Sequence, residues 1–119
     1  MSNTNPSTDQ QLRKELGKIS HASFGWGGYQ EAQLGLSLTF TMKGSGVGTF
    51  VGAWGIERSE YAKWTEEDRL RQLGEAVMKL GSMLSKAHKA DVTELVGVPV
   101  ELTFDGNMLH DWRLLEEVL

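Results

Sequence analysis

The chain has 119 residues, enough for one domain and too few for two, and it has no cysteine, which excludes disulfide frameworks, thiolate nucleophiles and zinc ribbons. Its 12 Lys and Arg residues are scattered among 16 acids for a net charge of −4, which disfavours a nucleic-acid polymer as partner but allows a small anionic ligand. No apolar run reaches transmembrane length and the first ten residues lack the features of a signal peptide, so we expect a cytoplasmic protein without a membrane partner.

The N-terminal segment is predicted to contain a tail and one short helix. Residues 1–8 are polar and are expected to form a mobile tail. In residues 9–16, Leu12 and Leu16 lie four positions apart, which places them on one face of a short helix. Gly17 follows at the position where a glycine commonly ends a helix.

Three strands are predicted next. Residues 18–24 form the first, and the glycine-rich loop of residues 25–29 (GWGGY) follows it. Residues 32–42 alternate apolar with small or polar side chains, as a half-buried antiparallel strand does. A turn at residues 43–46 leads into a third strand over residues 47–54, so the last two strands are predicted to make a hairpin.

The long helix has a clear start signal. Thr65 is suited to cap a helix N-terminus, with Asp68 three positions later, and the helix is predicted to run to about residue 89. Gly74 and Gly81 weaken this helix and are expected to permit close packing. The apolar residues that recur at steps of three and four predict a single stripe for packing on a sheet or on a partner helix: Leu70, Leu73, Val77, Leu80, Leu84 and Ala87.

The last part of the chain is predicted to hold a second short helix and a hairpin. Asp91 is suited to cap the helix and Gly97 to end it. Residues 98–104 alternate as a strand, and residues 105–107 (DGN) have strong hairpin-turn chemistry. Residues 108–119 fit a strand or a helix, and the turn before them favours a strand.

Together these elements predict an α+β fold: an antiparallel β-sheet with one long and one or two short helices packed on one face. We expect residues 9–119 to form a single ligand-binding domain, because no repeat or linker divides them.

The sequence lacks a recognisable catalytic motif. The three histidines, at 21, 88 and 110, have no metal-ligand spacing, and there is no GxSxG nucleophile elbow. The carboxylate pairs Glu66–Glu67 and Glu116–Glu117 are most simply charge at the start or end of an element. We therefore expect no catalytic residues, no metal and no cofactor, and a binding protein rather than an enzyme.

Aromatic and arginine residues are the best candidates for binding a ligand. The GWGGY loop is either a plain hairpin connection or a ligand loop, in which glycine amides approach an anion and two rings offer stacking faces. Arg58 lies among aromatics, and Arg113 directly follows Trp112. Neighbouring strand residues point to opposite faces, so Trp112 and Arg113 are not expected to share a pocket wall. The alternative for each arginine is an exposed salt bridge.

Three stretches of the chain are similar to a known family: GKISHASFGWGGYQEAQLGLSLTF, WTEEDR and VGVPVELTFDGNMLHDWRLLEEVL. They resemble the first described class of Thoeris anti-defence proteins, over about residues 17–119. The resemblance implies a phage protein acting in the cytoplasm of the infected bacterial host as a sponge, which sequesters cyclic ADP-ribose-derived immune signals without cleaving them. It also implies a second kind of site for cyclic oligonucleotides and a homo-oligomer, a hexamer. The predicted N-terminal helix has no counterpart in that pattern.

The resemblance also suggests roles for single residues. Arg113, in the DWRLL segment, would hold the cyclic ADP-ribose-type ligand, the GWGGYQ loop would line the same or a neighbouring pocket, and Arg58 and Lys18 would serve the cyclic oligonucleotide site. The full set of predicted ligand-binding residues is Arg113, Trp26, Gly27, Gly28, Tyr29, Asn107, Arg58 and Lys18.

Two other functions are compatible with the sequence. A small phage-encoded inhibitor could act by protein–protein contact, its acidic balance imitating nucleic acid. A cyclic-nucleotide phosphodiesterase fits least, because the sequence offers no metal cluster or paired base.

Overall fold

The computed structural model describes residues 12–55 and 60–119, and these form one five-stranded antiparallel sheet in the order β3-β2-β1-β4-β5, with one long helix. The elements are β1 (Leu12–Gly27), β2 (Gln33–Met42), β3 (Ser45–Trp54), α1 (Glu66–Ala87), β4 (Pro99–Asp105) and β5 (Met108–Leu114), with 3₁₀ turns at Tyr29–Glu31, Val92–Leu95 and Glu116–Val118. This architecture confirms the predicted α+β class. The predicted tail at residues 1–8 lies outside the described residues.

The helix predicted over residues 9–16 is wrong for its described part, because residues 12–16 begin β1. A spacing of four residues is one helical turn, but it is also two full periods of a strand, so the Leu12 and Leu16 pair does not distinguish the two. Pairing with β4, from Leu12 opposite Asp105 to Lys18 opposite Pro99, decides the conformation.

β1 joins two parts of the sheet. Residues 12–18 pair with β4, whereas residues 18–27 pair with β2, and a bulge between Ile19 and His21 marks the change. Gly17, predicted to end a helix, lies inside this strand instead. A Cβ at that position would approach the Thr41 carbonyl oxygen to 2.6 Å, so β1 and β2 converge here only because the residue is glycine.

The structure confirms the three strands predicted at the start of the sheet. The loops that connect them are shorter than predicted. Gly25 and Gly27 still belong to β1, and the connection to β2 begins at Gly28, with a φ of 69°. Only Lys43 and Gly44 form the turn between β2 and β3, with Gly44 at a φ of 80°. Glycine adopts a positive φ without the steric penalty that other residues have, so it suits this turn position.

One face of the sheet holds the core. Ile19, Leu36, Leu38, Phe40, Val100 and Leu102 are almost fully buried there, together with Leu95. The sheet curls around this core, since the Phe40 ring on β2 and the Trp112 ring on β5 lie 5.3 Å apart although two strands separate them in the sheet. The curl brings β5 toward the helix.

Local capping fixes the ends of α1. The Thr65 hydroxyl accepts from the Asp68 amide at 3.0 Å and the Asp68 carboxylate accepts from the Thr65 amide at 3.2 Å, which is the predicted capping box. The Thr65 amide, the Thr65 hydroxyl and then Arg71 lower the pKa of Asp68. At the other end the chain leaves the helix through His88, whose φ of 58° is left-handed.

The predicted apolar stripe of α1 is packed along one side only. Leu80, Leu84 and Ala87 of the stripe pack in the core, whereas Leu70 is 64% and Val77 50% exposed. The packed face also includes Ala76 and Met83, which the prediction did not contain. Close packing at the two glycines, 74 and 81, is wrong within the described chain, because a Cβ at either would meet nothing within 4 Å.

The elements after α1 match their signals. Asp91 and Glu94 form a second capping box before the 3₁₀ turn at Val92–Leu95, and Gly97 turns the chain at a φ of 95°. Gly106, at a φ of 63°, forms the β4–β5 turn, and the segment after it is the favoured strand.

Candidate functional site

The predicted ligand-binding residues occupy separate places on the described chain. Trp26 and Gly27 end β1, with Gly28 and Tyr29 in the following turn, while Lys18 lies in the middle of β1. Asn107 is in the β4–β5 turn and Arg113 is on β5. Arg58 lies outside the described residues.

A cleft at the end of the sheet, which we call the aromatic cleft, is lined by Trp26, Leu34, Ala53, Trp54, Gly55, Arg69 and Leu73 and encloses about 200 Å³. Trp26 is 62% exposed, and its ring lies so close to Gly55 that a Cβ there would overlap it. The arrangement leaves a flat aromatic surface open at the mouth of the cleft, next to the first turns of α1.

Arg69 brings positive charge to the same cleft. Its guanidinium Nε lies 2.9 Å from the Glu66 carboxylate, one helical turn before it. A ring and a guanidinium in one small cavity suit a planar group that carries negative charge.

The rest of the GWGGY loop is shaped by its neighbours. A Cβ at Gly27 would lie 2.8 Å from the Phe50 ring, and a Cβ at Gly28 would overlap the Gln33 side chain. These glycines therefore allow close packing, whereas Tyr29 is 68% exposed and does not line the aromatic cleft.

A second cavity, which we call the basic pocket, lies between α1 and β5 and encloses about 120 Å³. Its lining residues are Lys79, Ser82, Met83, Lys86, Trp112, Arg113, Leu114 and Glu116. Trp112 and Arg113 therefore share a pocket wall, and the expectation that they would not is wrong. β5 is an edge strand of the sheet, and the pocket lies beside that edge, where residues of both faces of the strand can line it.

Carboxylates already hold the Arg113 guanidinium. Its Nη1 and Nη2 donate to the two oxygens of Glu117 at 3.1 Å and 3.0 Å, and its Nε donates to Glu101 at 3.0 Å. The hydrogen bonds that Arg113 donates, first to Glu117 and then to Glu101, raise the pKa of Arg113, and the bonds that Glu117 accepts from Arg113 lower the pKa of Glu117 to about 2. Arg113 thus forms the exposed salt bridges that the alternative interpretation predicted.

The two lysines of the basic pocket were not predicted from the sequence. The Lys79 ammonium lies 4.4 Å from the centre of the Trp112 ring, and the Lys86 ammonium lies 3.4 Å from Glu116. The signal that could have found them is their spacing of seven residues, two helical turns, which puts both on one side of α1.

Lys18 and Asn107 lie in other surroundings. Lys18 lines an open groove of about 480 Å³, together with Leu16, Lys43 and Leu115. Asn107 lines none of the cavities above and is exposed at the tip of its turn.

Trp26 and Arg113 are not brought together within one chain, because the aromatic cleft and the basic pocket share no lining residue. A single cavity built by both is therefore wrong for one chain taken alone. The aromatic cleft instead provides the predicted stacking surface, and the basic pocket provides the cationic side chains.

Metal and membrane features can be judged over residues 12–55 and 60–119. No group of three or more His, Asp or Glu side chains there is placed to hold a metal ion. The Nε2 atom of His21 lies 3.3 Å from the Ser23 hydroxyl. In the same part of the chain, no helix has the length and apolar character needed to cross a membrane.

Comparison with known proteins gives no relative. No protein-family model, no curated protein and no solved structure matches the chain. The resemblance to the Thoeris anti-defence family therefore rests on the three sequence stretches that carry it.

Proposed function

We propose that this protein is a sponge for a small anionic signalling nucleotide of the cyclic ADP-ribose type, which it holds without cleaving in the cytoplasm of a phage-infected bacterium. The observation that carries the proposal is the basic pocket, which is lined by Lys79, Lys86 and Arg113 together with Trp112, and in which Lys79 lies over the Trp112 ring. The resemblance to the Thoeris anti-defence proteins supports the same assignment for Arg113.

The pocket has the chemistry that a phosphate requires. The fork of Arg113 holds both oxygens of one carboxylate, and two oxygens of a phosphate fit the same donors. A phosphate that enters there exchanges with Glu117, and the lysines add charge from the opposite wall. Binding therefore replaces one ion pair by another and does not create a new buried charge.

The side chains that line the basic pocket favour binding of a ligand over catalysis. A sponge needs affinity and slow release, but it needs no groups placed for a transition state. Among the described residues that line the basic pocket there is no histidine to act as a general base near neutral pH. The aromatic cleft serves as a separate site, where Trp26 stacks on a base and Arg69 attracts its phosphate.

The test uses the full chain and cyclic ADP-ribose as the probe. The protein is mixed with the nucleotide, washed, denatured by heat, and the supernatant is analysed by mass spectrometry. A sponge releases the nucleotide intact, whereas a hydrolase releases a product. Recovery of a cleaved nucleotide, or of none, contradicts the proposal.

A matched pair of variants locates the site. Arg113→Ala is expected to weaken binding at least tenfold in calorimetry, because a charge-assisted bidentate contact is lost, a change of about 1.4 kcal/mol or more. Arg71→Ala is the control, since Arg71 is an exposed arginine that forms an ion pair with Asp68 along α1 and does not line the basic pocket. Equal affinities of the two folded variants remove Arg113 from the site.

A protein-contact inhibitor is the second candidate, and exposed rings favour it. Tyr61 is 85%, Tyr29 68% and Trp26 62% exposed, and aromatic side chains are common at protein interfaces. Such an inhibitor releases no nucleotide on denaturation, so the same experiment separates the two functions.

A further inference from the structure

The groove that contains Lys18, Lys43, Leu16 and Leu115, which we call the lysine groove, has no part in the proposed nucleotide sites. It encloses about 480 Å³ and shares no lining residue with the basic pocket, of about 120 Å³, or with the aromatic cleft, of about 200 Å³. Cavities that bind small molecules usually enclose about 300–1,000 Å³. Of these three cavities, only the lysine groove lies in that range.

The strand register shows where the lysine groove lies. Lys18 is opposite Thr41 on β2 and opposite Pro99 on β4, and the Leu115 amide donates to the Pro99 carbonyl at 3.1 Å. The four residues therefore follow one another across the sheet. Directly paired side chains share a face, and Lys18 precedes the buried Ile19. The groove thus crosses the face of the sheet that is opposite the core.

Apolar side chains form much of the lysine groove. Leu16, Met42, Pro99 and Leu115 line it, and Leu16 is 68% exposed. Among the described lining residues there is no aromatic ring, and Thr41 has the only uncharged polar side chain. A nucleotide needs rings on which its bases stack, and a sugar needs several hydrogen-bonding partners. The lining instead suits an alkyl chain, which is stabilised when its surface is removed from water.

Two exposed lysines give the groove a positive charge. Within residues 12–55 and 60–119, neither Lys18 nor Lys43 forms an ion pair with a carboxylate. Glu101 on β4 is bound instead by Arg113 at 3.0 Å and by Lys14 at 3.7 Å. Both groove lysines are therefore available to an anion from outside the described chain, whereas Arg113 is already held by carboxylates.

We propose that the lysine groove binds one fatty-acid molecule from solution, with its carboxylate at Lys18 and Lys43 and its alkyl chain along Leu16 and Leu115. The ammonium groups attract the carboxylate, and the apolar side chains cover the alkyl chain, so the ligand needs both parts. Since the groove is separate from the basic pocket and its ligand is not a nucleotide, the proposal goes beyond the proposed function and does not depend on it.

Calorimetry of the full chain with dodecanoate, kept below its micelle concentration, tests the proposal. We expect one molecule to bind per chain. Decanoate has two methylenes fewer and is expected to bind about fourfold more weakly or worse, because less apolar area is buried. Dodecyltrimethylammonium has the same alkyl chain with a positive charge and is expected not to bind. Absence of dodecanoate binding, or equal binding of the cation, overturns the proposal.

Matched variants separate the charged and the apolar part of the groove. Lys18→Gln combined with Lys43→Gln is expected to weaken dodecanoate binding about tenfold or more, because both charge-assisted contacts are lost. Lys63→Gln changes an exposed lysine outside the groove and should have no effect. Leu16→Ser should also weaken binding, whereas Leu12→Ser, at an exposed leucine of β1 outside the groove, should not. Unchanged affinity of the folded double lysine variant contradicts the proposal.

NMR of the unaltered chain locates the ligand without any substitution. Dodecanoate is expected to shift the Met42 methyl and Gly17 amide signals and to leave the indole signals of Trp26 and Trp112 in place. Shifts at the indoles without a shift at Met42 place the ligand in another cavity and overturn the proposal.

Competition experiments distinguish this site from the nucleotide site and from a membrane surface. Saturating cyclic ADP-ribose should leave the affinity for dodecanoate unchanged, whether or not the nucleotide itself binds. Displacement of dodecanoate by the nucleotide shows that the two ligands share one site and overturns the proposal. Binding to phosphatidylglycerol vesicles but not to dissolved dodecanoate indicates a membrane contact and also overturns it.

Discussion

The two edge strands of the sheet, β3 and β5, differ in the charged side chains that they carry. β5 carries His110, Asp111 and Arg113, its arginine is held by two carboxylates, and Trp112 contacts both the core and a lysine of α1. β3 has no charged side chain at all. Charged side chains therefore lie along the β5 edge and contribute to the basic pocket. The β3 edge instead presents uncharged residues and the amides and carbonyls of its backbone. An edge rich in charge suits a small ion, whereas a bare edge suits another strand.

The largest expected effect is at the β5 edge. Trp112→Ala removes the contact with Phe40 and the surface on which Lys79 lies, and we expect a loss of about 3 kcal/mol in the free energy of unfolding. Phe50→Ala on β3 is the matched variant, with an expected loss of about 1 kcal/mol, because Phe50 packs mainly over glycines of the outer face. Urea denaturation measures both. Equal losses would show that the two edges contribute alike to the core.

An intermediate effect is expected where β2 meets β3. A Cβ at Gly35 would overlap the Val51 carbonyl oxygen, which is backbone and cannot move aside, so Gly35→Ala should destabilise the chain by about 2 kcal/mol. A Cβ at Gly48 would lie 3.6 Å from the nearest atom, so the position is not crowded. Gly48→Ala should therefore raise the free energy of unfolding by about 0.5 kcal/mol, because alanine restricts the unfolded chain. Thermal unfolding of both variants gives the signs. A neutral Gly35→Ala would mean that the two strands separate easily.

The smallest effect concerns the ion pair at the β5 edge. Hydrogen bonds from Arg113 hold the pKa of Glu117 at about 2, below its ordinary value of 4.5. A lowered carboxyl pKa stabilises the folded chain above the ordinary value, and this contribution is lost as pH falls from about 4.5 toward 2. Wild type should therefore exceed Glu117→Gln slightly in melting temperature at neutral pH and match it near pH 2.

An NMR titration of the Glu117 carboxyl carbon gives the midpoint directly. In Arg113→Ala the midpoint should return toward 4.5. A wild-type midpoint already at the ordinary value would show that the ion pair is not maintained in solution.

Much of the fold was predictable because local signals agreed with the final pairing. The alternation in β2 and the capping residues of α1 act over a few positions, so they can be identified in the sequence. The start of β1 was predicted wrongly because its spacing fits both periods, and a strand distant in sequence decides between them. The buried face of α1 was predicted only in part, because apolar residues extend around the helix and only the position of the sheet decides which of them are covered.

The candidate site was less predictable than the fold. Arg113 was identified from its aromatic neighbour, but its carboxylate partners come from β4 and from the 3₁₀ turn at Glu116–Val118. The spacing of Lys79 and Lys86 places both on one side of α1, but the contact of Lys79 with Trp112 depends on the curl of the sheet, which the sequence does not reveal. Trp26 and Arg113 were expected in the same or neighbouring pockets because residue type and the family resemblance, and not position, were the available guides.

The double pairing of β1 has a consequence for synthesis on the ribosome. Residues 18–27 can form a hairpin as soon as β2 emerges, but residues 12–18 pair with a strand that is translated some eighty residues later. Distant pairings of this kind form late and slow the final step of folding. Residues 12–18 are thus synthesised well before their partner strand and are among the last to reach their place, and until then they expose an edge to which other nascent chains can bind.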